Sequence, residues 1–297
     1  MGTPEYAEKI LEGLIAESDI NVVAVYTQPD KPVGRKKVMT PPVVKTLAQK
    51  NNIEVYQPAR LRDEESVAEL LKLECDYIVV AAYGQILPRS ILDHAPCINL
   101  HASILPEYRG ASPIQQTLLN GDKQTGVTAM LMQEGLDTGD ILSIKTFEVN
   151  DALMVEELFD ALTLLAKELT IEVLRNFDSC TPKKQNESDV SHCKKITKLD
   201  GEVDFANAIS LYNKYRAFTP WPGIYLPSGL KLKRIKLEDD KSHEEAGKIL
   251  SIDKDSIVVS CLEGSIRIYS VQPVSKKEMD VLSYINGKRL NVADTLL

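Results

Sequence analysis

Ile98-Asn99-Leu100-His101-Ala102-Ser103-Ile104-Leu105-Pro106 is an apolar stretch that carries an amide and an imidazole two positions apart. It predicts a β-strand from Cys97 to His101 and a turn at the proline. Side chains two residues apart on a strand point to the same face, so Asn99 and His101 should enter one pocket. An acidic turn, Leu136-Asp137-Thr138-Gly139-Asp140, places a carboxylate 38 positions after Asn99.

An amide, an imidazole and a carboxylate together are the groups that acyl-type transfer requires. The amide of Asn99 can hydrogen-bond a developing oxyanion, and the imidazole of His101 can move a proton. Asp137 can return from its later turn to set the tautomer and the charge of that imidazole. The residues therefore predict a transferase site that requires neither a metal ion nor a covalent intermediate.

The sequence around this strand alternates helical and strand patterns, which is typical of a parallel α/β domain with a doubly wound sheet. Val127 to Met132 and Ile141 to Phe147 alternate as an antiparallel extension of that sheet. The other elements predicted before residue 178 are helices over residues 4–16, 43–51, 64–72 and 155–176 and strands over residues 21–26, 53–56 and 77–80.

A change of composition divides the chain. Residues 178–200 are polar and rich in lysine, and we interpret them as a linker between a catalytic domain (1–177) and a second domain (201–297). The second domain begins with a helix over residues 204–218 and a turn-rich joint. Several closely spaced short strands follow, and this pattern favours a small β-barrel. These strands are predicted over residues 224–226, 231–237, 247–252, 256–261 and 266–271.

The overall composition is that of an ordinary globular protein, with 297 residues, 43% of them hydrophobic and 26% charged. No apolar run approaches the roughly 18 residues needed to cross a membrane, and the N-terminus has no signal-peptide pattern. Five scattered cysteines show neither a disulfide framework nor metal-ligand spacing. We therefore expect a cytoplasmic protein, and we expect it to be a monomer.

The charge is distributed unevenly. The net charge is −8, yet residues 26–45 contain five basic residues and one acidic residue, and residues 181–237 contain eleven basic and five acidic residues. An acidic protein with two basic tracts favours recognition of one nucleic acid at a defined place over general coating of nucleic acids.

The motif strand and the acidic turn resemble the catalytic core of the folate-dependent formyltransferases. In that family an Asn-x-His strand precedes a small-hydrophobic-Leu-Pro turn, and a catalytic Asp lies 38 positions after the Asn. The opening Met1-Gly2-Thr3-Pro4 and the segment Thr27–Lys37 are similar to the branch that acts on methionyl-tRNA. The resemblance covers nearly the whole chain. It implies a Rossmann-like catalytic domain followed by an OB-like barrel.

The resemblance also implies a reaction. A formyl group would pass from 10-formyltetrahydrofolate to the α-amino group of methionyl initiator tRNA, for use in translation initiation. Asn99 would hydrogen-bond the formyl oxygen, and Asp137 would orient His101 and favour its charged form. His101 would either shuttle protons or stabilise the oxyanion as an imidazolium, and the sequence leaves both roles open.

Two segments match the family's folate-binding loops, and both would lie at strand ends, where ligands bind in open α/β sheets. The implied folate-binding residues are Ser103, Ile104, Leu105 and Pro106 in the first segment and Tyr83, Gly84, Ile86 and Leu87 in the second.

Basic residues in three places match the family's tRNA-binding regions, and such residues would contact phosphates in a salt-sensitive way. Arg35 is the most critical of them by this resemblance. The implied set is Lys31, Arg35, Lys36 and Lys37 in the first loop, Lys194 and Lys195 in the linker, and Lys233 in the second domain.

One departure from the family concerns the sheet. Family members usually begin with a short apolar strand that leads into the Gly-Thr-Pro turn, whereas this sequence starts at Met1, inside the turn. The first strand of a doubly wound sheet is central. We therefore expect a sheet that is one strand short and exposes unpaired ladder groups.

Other functions fit the sequence less well. A formyltransferase for a small amine, such as a purine-pathway ribonucleotide or an amino sugar, would share Asn99, His101 and Asp137 but would need no basic loop at residues 31–37. A hydrolase or dehydrogenase acting on the same folate would normally carry a further domain. A non-catalytic RNA-binding module is disfavoured by the intact trio. A dinucleotide-dependent oxidoreductase is disfavoured because no Gly-x-Gly-x-x-Gly follows a strand.

Overall fold

The computed structural model of the chain describes residues 1–34 and 36–296. It forms two compact units. Unit 1 comprises Met1–Pro113, Gln124–Glu148 and Glu157–Cys193, and unit 2 comprises Ile114–Lys123, Val149–Glu156 and Lys194–Leu297.

The helices and strands follow one another in an order that alternates through unit 1 and becomes mainly β in unit 2. In chain order they are α1 (Glu5–Ala16), β1 (Ala24–Tyr26), β2 (Lys31–Val33), β3 (Val38–Thr40), α2 (Val43–Lys50), β4 (Glu54–Tyr56), α3 (Glu64–Leu70), β5 (Ile78–Val80), α4 (Arg89–Leu92), β6 (Cys97–His101), β7 (Arg109–Gly110), α5 (Pro113–Asn120), β8 (Gln124–Leu131), β9 (Ile141–Glu148), α6 (Val155–Arg175), β10 (His192–Cys193), α7 (Ala208–Phe218), β11 (Ile224–Tyr225), β12 (Lys231–Asp239), β13 (Ile249–Ile252), β14 (Ile257–Ser260), β15 (Ser265–Gln272), β16 (Met279–Asp280) and α8 (Val281–Lys288).

The predicted motif strand is β6, one of the two inner strands of a four-stranded sheet with the order β5-β6-β8-β9. β6 runs parallel to β5, with Val80 opposite Asn99, and antiparallel to β8, with His101 opposite Thr128. β8 and β9 form the predicted antiparallel extension. The carboxyl end of β6, where a ligand site is expected, therefore lies between a parallel and an antiparallel neighbour.

Two parallel strands of unit 1 lie outside the four-stranded sheet. β1 pairs with β4, and within residues 1–34 and 36–296 no strand connects this pair to β5. Met1 and Gly2 bridge the interval at one end, because Gly2 N donates to the Tyr26 carbonyl at 3.0 Å and Ala81 N donates to the Met1 carbonyl at 2.9 Å. Beside this dipeptide lies a cavity of about 560 Å³. Its apolar lining includes Leu11, Leu14, Val25, Val44 and Val79.

Several short elements differ from the sequence prediction. The segment at residues 31–37, which we expected to be a loop, contains β2, and β2 pairs antiparallel with β3 so that Val33 lies opposite Val38. The helices α4, α5 and α8 were also missed. Strands of three residues and the four-residue α4 are too short to show a periodic apolar pattern, and the eight-residue α5 and α8 span only about two helical turns. Contacts with the rest of the fold therefore decide their conformation.

Unit 2 contains an antiparallel sheet with the order β11-β12-β15-β14-β13, and β16 pairs with β15. Its strands have buried faces, and Ile235, Ile257 and Ile268 lie in the core with Phe205 and Phe218. The mostly antiparallel β-domain is thus as predicted. Among the described residues the pairing is that of an open sheet, and the OB-like barrel stays a prediction.

A buried arginine organises part of unit 2. Arg216 on α7 is 2% exposed. Its Nη1 donates to the Asn150 carbonyl at 3.2 Å and its Nη2 donates to Asn213 Oδ1 at 2.6 Å. Burial lowers the pKa of the guanidinium below its usual value. The side chain therefore joins α7 to the loop before α6. Desolvation of its charge opposes this contact and lowers its net contribution to stability.

We expect Arg216→Ala to lower the free energy of unfolding by about 2–4 kcal/mol, because the buried Asn213 amide oxygen and the Asn150 carbonyl lose their donor and the buried side chain leaves a cavity. Urea unfolding followed by circular dichroism measures the change. Lys288→Ala, at an exposed position on α8, is the control, and its effect should stay within about 0.5 kcal/mol. An Arg216→Ala protein as stable as the control would contradict this account of the arginine.

Candidate active site

The strand β6 places two polar side chains in the interior of unit 1. Ile98 and Leu100 are buried on one face of the strand. Asn99 and His101 alternate with them, as the strand period requires. Both side chains reach Asp137. The structure thus brings together the three predicted catalytic side chains.

Asp137 is the meeting point of this cluster. Its Oδ1 accepts a hydrogen bond from Asn99 Nδ2 at 3.3 Å, and its Oδ2 accepts one from the Gly110 N–H at 2.9 Å. His101 Nδ1 lies 3.6 Å from the same Oδ2, beyond an ordinary hydrogen bond. The carboxylate side chain is 11% exposed. It is therefore held by two donors and faces the imidazole at close range.

The hydrogen bonding of His101 restricts its tautomer. Nε2 lies 2.9 Å from the Tyr108 carbonyl oxygen, and a carbonyl can only accept, so Nε2 carries a hydrogen. Nδ1 then either presents a lone pair toward Asp137 or carries the second proton of an imidazolium. The geometry is compatible with both roles that the sequence left open for His101.

Two glycines allow the close approaches that shape this site. Gly110 has φ +127°, and a Cβ atom there would lie 2.1 Å from the Cys193 carbonyl oxygen. A Cβ atom at Gly139 would lie 1.6 Å from the Leu131 carbonyl oxygen. Neither position accepts a larger residue without movement of the backbone. Gly139 was predicted only as part of the acidic turn, and Gly110 was not predicted as a site residue, although a glycine two residues after Tyr108 is a usable turn signal.

The segment that we interpreted as a linker contacts the site. β10 pairs in parallel with β7, so that Cys193 lies opposite Gly110. Burial raises the pKa of the Cys193 thiol, which therefore remains neutral beside the Asp137 carboxylate. Gln185 of the same segment contacts the backbone at Asp137 and Gly139. The sequence offered no signal for Gln185, because it lies within a uniformly polar stretch.

A cavity of about 230 Å³ lies on one side of Asp137. Of the predicted folate-binding residues it contains Ile86 and Leu87, which line it together with Met130 and residues 133–138. Ile86 is 83% exposed and Leu136 is 64% exposed. A lining that combines exposed aliphatic side chains with polar ones such as Gln133 and Thr138 suits a flat aromatic ligand.

The other predicted folate-binding residues lie apart from the described lining of this cavity. Ser103 is buried and its Oγ donates to the Glu107 carbonyl at 2.6 Å. Leu105 N donates to Thr128 Oγ1 at 3.0 Å, in the same tight turn as Ile104 and Pro106. Tyr83 is packed in the apolar core, where burial raises its pKa to about 12, and it precedes Gly84 at φ +75°.

The first basic region is an exposed hairpin. Lys31, Lys36 and Lys37 are exposed on or beside β2 and β3, and Arg35 lies outside the described residues. Val33, Val38 and Met39 on the hairpin are each more than half exposed. A hairpin with both cations and uncovered apolar side chains is typical of a binding surface rather than of a solvated face.

The predicted basic residues of unit 2 have different surroundings. Lys194 Nζ lies 2.9 Å from Asp200 Oδ1, so part of its charge is compensated. The carboxyl of Asp200 is also bonded to Thr197, and these contacts lower its pKa to about 2. Lys195 is exposed, and Lys233 is half-buried on β12.

Within residues 1–34 and 36–296 no three histidine, cysteine or acidic side chains are grouped as a metal site. The part of the chain that the structure describes also has no helix of sufficient length and apolarity to span a bilayer.

Comparison with protein families matches both parts of the chain. Residues 1–174 match the model of the formyl transferase family, and residues 195–289 match the model of the formyl transferase C-terminal domain. Among solved structures, the N-formyltransferase from Helicobacter canadensis, in complex with folinic acid and dTDP-3-aminofucose, aligns with a TM-score of 0.69. That alignment covers 91% of this chain and 97% of the other at 18% identity, so it concerns the fold alone.

Curated relatives extend over the full chain. The methionyl-tRNA formyltransferase of Sulfurimonas denitrificans is 67% identical over 296 residues, covering 100% of this chain and 98% of the relative. The methionyl-tRNA formyltransferase of Nitratiruptor sp. is 58% identical over 298 residues, covering 99% of this chain and 98% of the relative. The chain therefore belongs to the formyl transferase family, within its methionyl-tRNA formyltransferase group.

Proposed function

We propose that the protein transfers the formyl group of 10-formyltetrahydrofolate to the α-amino group of methionyl initiator tRNA. The observation that carries this proposal is the close approach of Asn99 and His101 to the Asp137 carboxylate. It occurs in a chain whose relatives over its full length are methionyl-tRNA formyltransferases. The reaction forms a C–N bond to the formyl carbon and breaks the bond from that carbon to the folate nitrogen.

Each member of the trio has a role in this transfer. The Asn99 amide donates to the formyl oxygen as it becomes an oxyanion, and one such donor is typically worth about 3–4 kcal/mol in the transition state. His101 takes a proton from the attacking amine or stabilises the oxyanion in its charged form. Asp137 orients the imidazole and compensates its charge. The Tyr108 carbonyl supports this assignment because it fixes the ring through Nε2.

The folate would be held beside Asp137. The cavity lined by Ile86, Leu87 and residues 133–138 would accept the flat ring between its aliphatic and polar side chains. The tight turn Ser103–Pro106 directly follows β6, and it would contact the formyl end of the folate there. No metal ion is required, because the oxyanion and the moving proton each have a side chain to serve them.

The tRNA would be held by the basic residues. The exposed hairpin would contact the acceptor end through Lys31, Lys36 and Lys37, and we propose that Arg35 also binds the tRNA. In the second domain, which we propose to be an OB-like platform, Lys233 would contact the tRNA backbone together with Lys194 and Lys195 of the preceding segment.

The most direct test compares acceptors. The purified chain is incubated with 10-formyltetrahydrofolate and either methionyl initiator tRNA, free methionine or an amino sugar nucleotide, and formylated product is measured. Transfer to the charged tRNA is expected. Transfer to the small amines with none to the tRNA would refute the proposal in favour of a small-amine formyltransferase.

A double substitution in the hairpin tests the tRNA contact. Lys36→Ala with Lys37→Ala should weaken tRNA binding and reduce the slope of log affinity against log salt by about one for each lost phosphate contact. The KM for the folate should stay unchanged. Lys50→Ala with Lys72→Ala removes the same charge from exposed positions elsewhere in unit 1 and serves as the control. Equal salt slopes for the two double variants would contradict the assignment.

A further inference from the structure

Gln185 differs from its neighbours along the chain. Residues 181–184 and 186–189 are exposed, whereas Gln185 is half-buried. Its Nε2 donates to the Asp137 carbonyl at 2.8 Å and to the Gly139 carbonyl at 2.8 Å. One amide group therefore holds both ends of the three-residue turn that carries the Asp137 carboxylate.

The orientation of this amide is determined by its partners. Gln185 Oε1 accepts a hydrogen bond from Arg109 Nε at 3.0 Å. An arginine only donates and a carbonyl only accepts, so the oxygen must face Arg109 and the NH₂ group must face the turn. All three hydrogen bonds of the Gln185 side chain are therefore satisfied by this one orientation of its amide.

Arg109 is fixed in its turn. Its side chain is 4% exposed, and its Nη2 donates to Glu187 Oε1 at 2.8 Å. The guanidinium lowers the pKa of the Glu187 carboxyl below its usual value. Glu187 is 74% exposed, so it supplies a counter-charge at the surface to a guanidinium that is almost fully buried.

The backbone on both sides of Gln185 is also tied to unit 1. Lys183 and Ile141 exchange two hydrogen bonds of 2.8 Å. Further along, β10 pairs with β7, and Arg109 N donates to the Ser191 carbonyl at 2.9 Å. The segment 183–193 is therefore anchored before and after Gln185, and its side chain is presented to the turn from a fixed backbone.

We propose that Gln185 is a positioning residue for the transfer reaction and acts by holding the Asp137 turn, with Arg109 orienting its amide. This inference deepens the proposed function and rests on it. Gln185 does not touch the reacting atoms. It fixes the backbone carbonyls on either side of Thr138, and the Asp137 carboxylate has little freedom once those two atoms are fixed.

The conformation of Asp137 is the reason why a clamp is needed. Asp137 has φ +53°, a left-handed conformation that costs a non-glycine residue free energy and relaxes unless its surroundings maintain it. A rotation of the turn would move Oδ2 away from the Gly110 N–H and change its 3.6 Å separation from His101 Nδ1. Displacements near 1 Å at a catalytic group can reduce the rate about a hundredfold.

The substitution Gln185→Glu is the matched probe. It keeps the length of the side chain and an acceptor for Arg109, but it has no N–H group to donate to the two carbonyls. Gln185→Ala removes all three bonds. Thr181→Ala, at an exposed and uncharged position four residues earlier, is the control. We expect kcat to fall by about 10- to 100-fold in both Gln185 variants, with the KM for folate and for tRNA within a factor of about two and no change in the control.

A double-mutant cycle separates positioning from a merely structural role. If Gln185 acts through Asp137, then Gln185→Glu in an Asp137→Asn background should lower the single-turnover rate by less than about threefold, because the carboxylate that it positions is already gone. The same substitution in the native background should show its full effect. Thermal unfolding of all four proteins establishes that each is folded.

The possible outcomes distinguish failure of this inference from failure of the proposed function. Equal losses from Gln185→Glu in the two backgrounds, or no loss in the native one, would overturn the inference while leaving the proposed function in place. A folate KM raised in proportion to the loss of kcat/KM would also overturn it, because the residue would then serve ligand binding. If Gln185→Ala fails to fold, the isosteric variant carries the test. An unmodified chain that transfers no formyl group to tRNA would overturn both proposals.

Discussion

Replacing His101 by alanine should slow formyl transfer by about 10²- to 10⁴-fold, the range typical of a lost general acid–base group. The ring is 6% exposed and is held by the Tyr108 carbonyl on one side, with Asp137 on the other. Removing it deprives the attacking amine or the oxyanion of its partner. Binding of the folate should change little, because His101 is not in the described lining of the cavity beside Asp137.

The measurement is single-turnover transfer to methionyl-tRNA, accompanied by the folate dissociation constant and the temperature of unfolding. His101→Gln provides a second variant, because its amide can still donate to the Tyr108 carbonyl but cannot carry a proton between substrates. It should fold normally and remain slow. His94→Ala, at an exposed histidine whose Nε2 lies 3.0 Å from the Leu73 carbonyl oxygen, should react at the native rate. A His101→Ala protein within about threefold of the native rate would remove His101 from the mechanism.

The sequence was sufficient to predict the convergence of the trio because two kinds of information coincide there. The strand period places Asn99 and His101 on one face, and the acidic turn follows the first hairpin strand of the predicted antiparallel extension, β8. Since β8 runs antiparallel to β6 with Leu131 opposite Ile98, the turn that follows β8 starts beside the first half of β6, close to Asn99. The strand period and the pairing of β8 with β6 therefore both predict that the three side chains lie close together.

The supporting residues could not be predicted in the same way. The bond from the Gly110 N–H to Asp137 depends on a turn, and the bonds of Gln185 depend on a segment that returns to the site from 48 positions further along the chain. Such contacts are long-range and polar, and they leave no periodic trace in the sequence. A polar, lysine-rich stretch is the usual sign of a linker, yet residues 183–193 form part of the site.

The folate segments show an intermediate case. Ile86 and Leu87 lie in the cavity beside Asp137, whereas the side chain of Tyr83 points into the core. An apolar residue at a strand end can face either the ligand or the interior, and only the course of the backbone decides between them. Gly84, at φ +75°, has a left-handed conformation that favours glycine, and it lies between the buried Tyr83 and the exposed Ile86.

Substituting Gly139 by alanine should damage both the fold and the chemistry of unit 1. The added Cβ atom would lie 1.6 Å from the Leu131 carbonyl oxygen, which is backbone and has no flexible end to withdraw. The turn that begins at Asp137 must therefore move away from β8. It would also move against Gln185, which donates to the Gly139 carbonyl. We expect the free energy of unfolding to fall by about 1–3 kcal/mol and kcat to fall by about a hundredfold.

Gly287→Ala is the matched control for this prediction. The same methyl group at Gly287, within α8, meets no atom within 4 Å. Alanine in a helix interior is favoured over glycine by about 0.5–1 kcal/mol, so this variant should be as stable as the native protein or more so, at native activity. If Gly139→Ala instead matched Gly287→Ala in unfolding temperature and turnover, the turn would be plastic. The Asp137 carboxylate would then be placed by something other than the close packing of its turn against β8. Gly139→Ala moves the backbone of the turn, and the longer side chain of an Asp137→Glu protein cannot restore that backbone. The loss of kcat caused by Gly139→Ala should therefore persist in an Asp137→Glu background.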